Sequence, residues 1–193
     1  MWQSEVILPA ASFLKYCYYA HASQPSSERM LYRALRRARV RSIVEIGLNV
    51  GLRSTRLIEA AMRYHSPGRV QYTGTDLFEA RPPGTSGIPL KEAHRLLCSL
   101  GGRVGLVPGD PFTALARKAN SLTGTDMIVI SADQEPASLA RAWFYVPRML
   151  HDRSLVFLEE APAGDGRPTF RLLAREEIEA LAVGELGGHR RAA

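Results

Sequence analysis

The sequence predicts a doubly wound α/β fold. Short β-rich runs alternate with helical patterns along most of the chain, and the centres of those runs are almost continuously Val, Ile, Leu and Met. Strands with that pattern have both faces covered, and strand–helix alternation implies crossovers and a mostly parallel sheet with helices on both sides. Composition agrees: the chain has 193 residues, 46% of them apolar and 23% charged, which excludes bulk disorder. One domain of this size buries about 70% of its unfolded surface and needs no metal or disulfide staple. The longest apolar stretch, residues 6–14, is too short for a bilayer and lacks the basic segment of a secretory signal. Cys17 and Cys98 form no CxxC pair, so they are expected to be reduced thiols in a cytoplasmic protein.

The predicted strands are residues 42–47 (SIVEIG), 70–76 (VQYTGTD), 104–109 (VGLVPG), 126–131 (DMIVIS) and 154–159 (SLVFLE). After the first, Leu57, Ile58, Ala61 and Met62 share one helical face; Ser54 or Thr55 is expected to cap its start, and Pro67-Gly68 to end it. Further helices are predicted over residues 89–100, 112–120 and 137–150, the last broken or kinked at Pro147. Ahead of the first strand, residues 27–39 form a helix carrying Met30, Leu31 and Leu35 on one side. The aromatic start (Trp2, Phe13, Tyr16, Tyr18, Tyr19) is expected to pack over the sheet or cap a ligand site. Beyond a Gly- and Pro-rich loop at 161–168, residues 169–173 read as a sixth strand and 176–182 as a short helix. The resulting division is 1–40 as an aromatic, helical extension, 41–183 as the α/β domain and 184–193 as a flexible tail.

In an open parallel sheet, ligands bind beyond the carboxyl ends of the strands where strand order reverses. The first strand there runs into Glu45-Ile46-Gly47-Leu48-Asn49-Val50-Gly51, whose small residues let backbone approach a ligand and whose following helix presents free N–H groups. A GxGxxG dinucleotide pattern fails at Asn49 and Leu52, and no phosphate-cradling GxxxxGK[ST] loop occurs. The second strand ends at Asp76, a carboxylate able to accept both hydroxyls of a ribose, and the third at Gly109-Asp110.

Together these strand ends resemble class I S-adenosylmethionine-dependent methyltransferases, and residues 106–115 (LVPGDPFTAL) are similar to the matching stretch of small-molecule O-methyltransferases. The resemblance covers about residues 41–160 and implies a Rossmann-like sheet whose seventh, antiparallel strand is missing or minimal in so short a chain. It implies that Glu45 lies near the methionyl amino group of S-adenosylmethionine and that Gly47, Asn49 and Gly51 pass beside the cofactor. Asp76 then holds the ribose, Leu77 borders the adenine, and Gly109 and Asp110 meet its edge. Asn49 replaces the usual middle glycine, and Ser131 stands where metal-dependent relatives place their first carboxylate. Asp133, Glu159 and Glu160 remain as oxygen donors, and the reading expects no metal. No catalytic residue is singled out; Asp133, Glu135, Glu159 and His94 are candidates for a base.

The expected function is methyl transfer from S-adenosylmethionine to a small-molecule acceptor. The alternatives are an inactive, cofactor-binding or regulatory relative, a nucleic-acid methyltransferase, and a protein that binds a different nucleotide in the same crevice. The net charge of +6 rests on 22 arginines and three lysines. The arginines are spread along the chain apart from a cluster between Arg29 and Arg41, so only weak, sequence-independent nucleic-acid association is expected. Arg81, in an unusual loop after Asp76, is expected either to meet an anionic substrate or to pair with Glu79 or Asp76. A homodimer or the aromatic N-terminus is expected to cover the open sheet edge. Asp76→Asn is expected to weaken cofactor binding while leaving the free protein nearly as stable.

Overall fold

A computed structural model describes residues 12–66, 68–161 and 167–189, with 185–189 described by backbone alone. In chain order the strands are β1 (Ser42–Ile46), β2 (Gln71–Asp76), β3 (Arg103–Pro108), β4 (Thr125–Ile130), β5 (Leu150–Glu160) and β6 (Thr169–Leu172). The helices are α1 (Phe13–Cys17), α2 (Arg29–Ala38), α3 (Leu52–Met62), α4 (Leu90–Cys98), α5 (Pro111–Lys118), α6 (Pro136–Ala142), α7 (Val146–Met149) and α8 (Arg175–His189). One sheet has the order β3-β2-β1-β4-β5-β6, parallel except for β6, which runs antiparallel to β5. The antiparallel edge is thus minimal, a four-residue strand. Strand order reverses between β1 and β4, and the connections out of both strands open on the same crevice.

Alternation along the central strands explains their continuous apolar runs. Ile43, Met127, Val129 and Phe157 face one core with α2, α3, α4 and the N-terminal helices. Val44, Ile46, Ile128, Ile130 and Val156 face a second core with α5, α6, α7 and α8. Tyr16 and Tyr19 pack over the first face, whereas Trp2 lies outside the described residues. Pro147 has the expected effect: α6 gives way to a 3-10 turn at Trp143–Tyr145, and α7 restarts with the proline in its first turn.

The capping expected at Ser54 or Thr55 is not what starts α3. Gly51 holds the N-cap position at φ 78°, Ser54 turns inward to Glu45, and the Thr55 hydroxyl donates back to the Gly51 carbonyl at 2.9 Å. The inward turn follows from Glu45, an acid at a core position of a central strand, which draws every nearby donor. Among the described residues no helix is long and apolar enough to cross a membrane.

Candidate functional site

A crevice of about 630 Å³ opens beyond the carboxyl ends of β1, β2, β3 and β4, lined by Asn49, Asp76, Leu77, Asp110 and Asp133 among others. Its floor is the turn from β1 to α3. Gly47 (φ 86°), Asn49 (φ 58°) and Gly51 (φ 78°) are all left-handed, a conformation open to glycine and tolerated by asparagine. The turn is tied to its neighbours: Gly47 N donates to Thr75 O at 2.9 Å, and Asn49 N donates to Asp76 Oδ2 at 2.8 Å. A Cβ on Gly47 would lie 2.2 Å from the Gln134 amide nitrogen and 2.8 Å from Ser131 Cβ, so only glycine fits that cradle.

Asp76 is 6% exposed and fully engaged. Its Oδ1 accepts from Phe78 N at 3.3 Å and Arg81 Nε at 2.8 Å, while its Oδ2 also pairs with Arg81 Nη2. Of the two expectations for Arg81, pairing with Asp76 is the one found; Glu79 instead accepts from Leu90 N at 2.9 Å. Gly109 (φ 136°) donates its N–H to Asp76 O at 2.9 Å. Asp110 is the N-cap of α5, its Oδ1 accepting from Thr113 N at 3.2 Å and from the Ser138 hydroxyl. Burial pushes its carboxyl up, but the bonds from Ser138 and Thr113 outweigh that and hold it at about 2.

Glu45 does not reach the crevice. It is 0% exposed, and its carboxylate is consumed by Arg53 Nε at 2.6 Å, Ser54 Oγ at 2.6 Å and the Tyr72 hydroxyl. Arg53 extends this network: its Nη2 donates to Gly47 O at 2.9 Å and to Ser131 Oγ, and its Nη1 to Glu159 Oε2 at 3.4 Å. Burial disfavours its charge, yet the Glu45 and Glu159 carboxylates raise its pKa further. Tyr72 is raised by burial and by Glu45. No motif marked Arg53; the signal was the acid at a core position of β1, which requires a buried counter-charge.

The leftover oxygen donors do not converge on a cation. Glu159 is held by Arg53 and by Ala132 N at 3.2 Å, Glu160 by Arg171 at 2.6 Å, and Asp133 faces Asn49 Nδ2 at 3.2 Å. Among the described residues no three His, Cys, Asp or Glu side chains are grouped to hold a metal ion. Ser131 hydrogen-bonds Gly47 O at 2.7 Å and joins the ends of β1 and β4.

No protein-family model and no curated protein matches the chain. Solved structures do. A candidate rRNA methylase from Clostridium thermocellum is similar at 11% identity and a TM-score of 0.54, over 86% of this chain and 82% of that one. A TehB-like methyltransferase from Corynebacterium glutamicum is 18% identical with a TM-score of 0.46, over 79% of this chain and 70% of that one. MycE, a methyltransferase of mycinamycin biosynthesis solved with Mg and S-adenosylhomocysteine, is 17% identical with a TM-score of 0.46 over 70% of this chain. This chain spans 32% of the length of MycE. The fold is therefore that of class I S-adenosylmethionine-dependent methyltransferases.

Proposed function

We propose that the chain binds S-adenosylmethionine in the crevice and transfers its methyl group to a small-molecule acceptor. The observation that carries this reading is the convergence of Asp76 and Asp110, from the ends of β2 and β3, on one crevice beside the left-handed turn after β1. The donor set fits the cofactor. The crevice lies in the usual size range of small-molecule sites, and Gly47 keeps a Cβ out of the space that the Gln134 amide now takes. The Asp110 carboxylate lies at the crevice wall with its two closest donors, Thr113 N and the Ser138 hydroxyl, both on Oδ1. This leaves Oδ2 suited to an exocyclic amine, and Leu77 offers apolar surface in the same crevice. Asp76 accepts ribose hydroxyls once the Arg81 guanidinium swings off, and the Gln134 amide moves from above Gly47 for the methionyl chain.

Bound there, S-adenosylmethionine supplies a methyl group already activated on a sulfonium, so the protein's task is to position the acceptor and exclude water. Of the carboxylates lining the crevice, Asp76 is ion-paired while Asp110 and Glu135 cap helices. Asp133 does neither and is placed to take a proton from an acceptor. The rim bearing Asp133 and Glu135 repels phosphates, which favours a small neutral or cationic acceptor over a nucleic acid. Arg81 on Asp76 and Gln134 over Gly47 favour a second reading, a cofactor-binding protein without turnover; methyl transfer to any acceptor from a small-molecule panel decides against it.

Calorimetry with S-adenosylhomocysteine tests the proposal. Micromolar binding corresponds to about 8 kcal/mol, and ligand at about 100 times Kd adds roughly 2.7 kcal/mol of stability. The absence of both binding heat and thermal shift at millimolar ligand overturns it. Asp76→Asn is expected to weaken binding by about 10- to 150-fold, the loss of a charged hydrogen bond. It is also expected to lower the stability of the free protein by roughly 1–3 kcal/mol. This second effect differs from the sequence expectation, because the carboxylate already holds Asn49, Phe78 and Arg81.

A further inference from the structure

The end of the sheet opposite the crevice carries a different chemistry. Two adjoining cavities of about 340 and 540 Å³ share Arg41 and Asp126 and run along the amino ends of the strands. Arg69 and Arg103 join Arg41 in the first, and Arg37, Arg39 and Arg153 join it in the second. Arg41, Arg69 and Arg103 sit at or within two residues of a strand start and Arg153 lies three residues into β5, so residues far apart in sequence fall into one row. Strands lie about 4.8 Å apart, so the row from β3 across β2, β1 and β4 to β5 extends roughly 19 Å.

Among the described residues the six arginines of this row face a single carboxylate, Asp126, which leaves most of their charge unbalanced. Arg53, Arg56, Arg81, Arg171 and Arg175 each hold a carboxylate, whereas none of the six row arginines has an ion-pair partner. The one acid shared by the cavities, Asp126, is spent on the backbone N–H groups of Arg41 and Ser42 and on His151. Helix carboxyl ends also point this way, but each carries only about half a negative charge, far less than the row supplies. The rest of the lining is hydroxyl, amide, imidazole, glycine and alanine, with no apolar side chain larger than the Ala38 methyl to enter a lipid layer.

We infer that this row is a docking surface for a nucleic-acid backbone, bound through its phosphates and without regard to sequence. Planar guanidiniums grip phosphates in bidentate fashion, and a trough of this length spans several of them, since each duplex strand carries one charge per about 3.4 Å. The crevice lies at the far end of the strands, so the docked polymer is a tether and not the methyl acceptor, and the inference stands independently of the proposed cofactor.

Fluorescence anisotropy with a labelled oligouridine RNA, a duplex DNA and anionic phospholipid vesicles tests it. Binding to RNA is expected at about 10 μM or tighter in 50 mM NaCl, falling with salt by about 0.7 log units per log unit for each phosphate neutralised. Replacing Arg41, Arg69 and Arg103 together with alanine is expected to reduce the magnitude of that slope by about 2 and to weaken binding at least tenfold. The control replaces Lys91, Arg95 and Arg171, which lowers the net charge from +6 by the same three units, and is expected to keep the slope. Equal losses in both variants, no RNA binding at 50 mM NaCl, or binding to vesicles alone each overturn the inference.

Discussion

Arg53→Met would leave Glu45 buried at the centre of β1 with its charge uncompensated, and would take one donor each from Glu159 and the Gly47 carbonyl. Breaking a buried pair by removing one member costs about 3–5 kcal/mol, and urea unfolding of the variant should show a loss of that size. Adding Glu45→Gln should recover part of it, because the neutral amide costs less to bury. Of the residues that resemblance implied for the site, Asn49, Asp76, Leu77 and Asp110 line the crevice, whereas Gly47, Gly51 and Gly109 are not in its lining. Glu45 was legible as a position and not as a role. A strand pattern shows that an acid falls on a buried face, but which donors meet it depends on α3 and β2 packing against that face. Arg81 on Asp76 was legible only as one of two options, since loop conformation decides which acid it finds.

At the scale of elements, α5 depends on its cap. Asp110 bonds Thr113 N and the Ser138 hydroxyl, so it links the start of α5 to α6 as well as capping its own helix. Its folded pKa, about 2, lies below its unfolded value near 3.8, so its contribution is present above that value and is lost as pH falls toward 2. Thermal unfolding between about pH 4 and pH 2 should therefore drop more steeply for the native chain than for Asp110→Asn, which should begin less stable at neutral pH. If the two profiles stay parallel, the cap carries no linked stability. Elements as such were legible wherever hydrophobic period and punctuation agreed, as at β4 or at Pro147. The start of α3 was missed because the hydroxyls that suit a cap were drawn to other partners.

For the whole molecule, the doubly wound class was legible because central strands must be apolar on both faces, and the cores on each side of the sheet bear this out. The segregation of charge was not: Arg41, Arg69, Arg103 and Arg153 belong to the entries of four strands, and only the sheet sets them side by side. The Arg53 hub shows a related dependence in time. Its bonds to Ser131 and Glu159 span 78 and 106 residues of chain, so they close only after β4 and β5 have docked beside β1. Contacts of that reach are expected to form late on the folding path, so that their loss falls on the escape from the native state. Stopped-flow measurements on Arg53→Met should show unfolding faster by about two orders of magnitude or more and refolding nearly unchanged, whereas a slowed refolding limb would place the hub in the nucleus. Unfolding alone accelerated would make Arg53 a latch, shut last and opened first, that sets how long the folded chain persists.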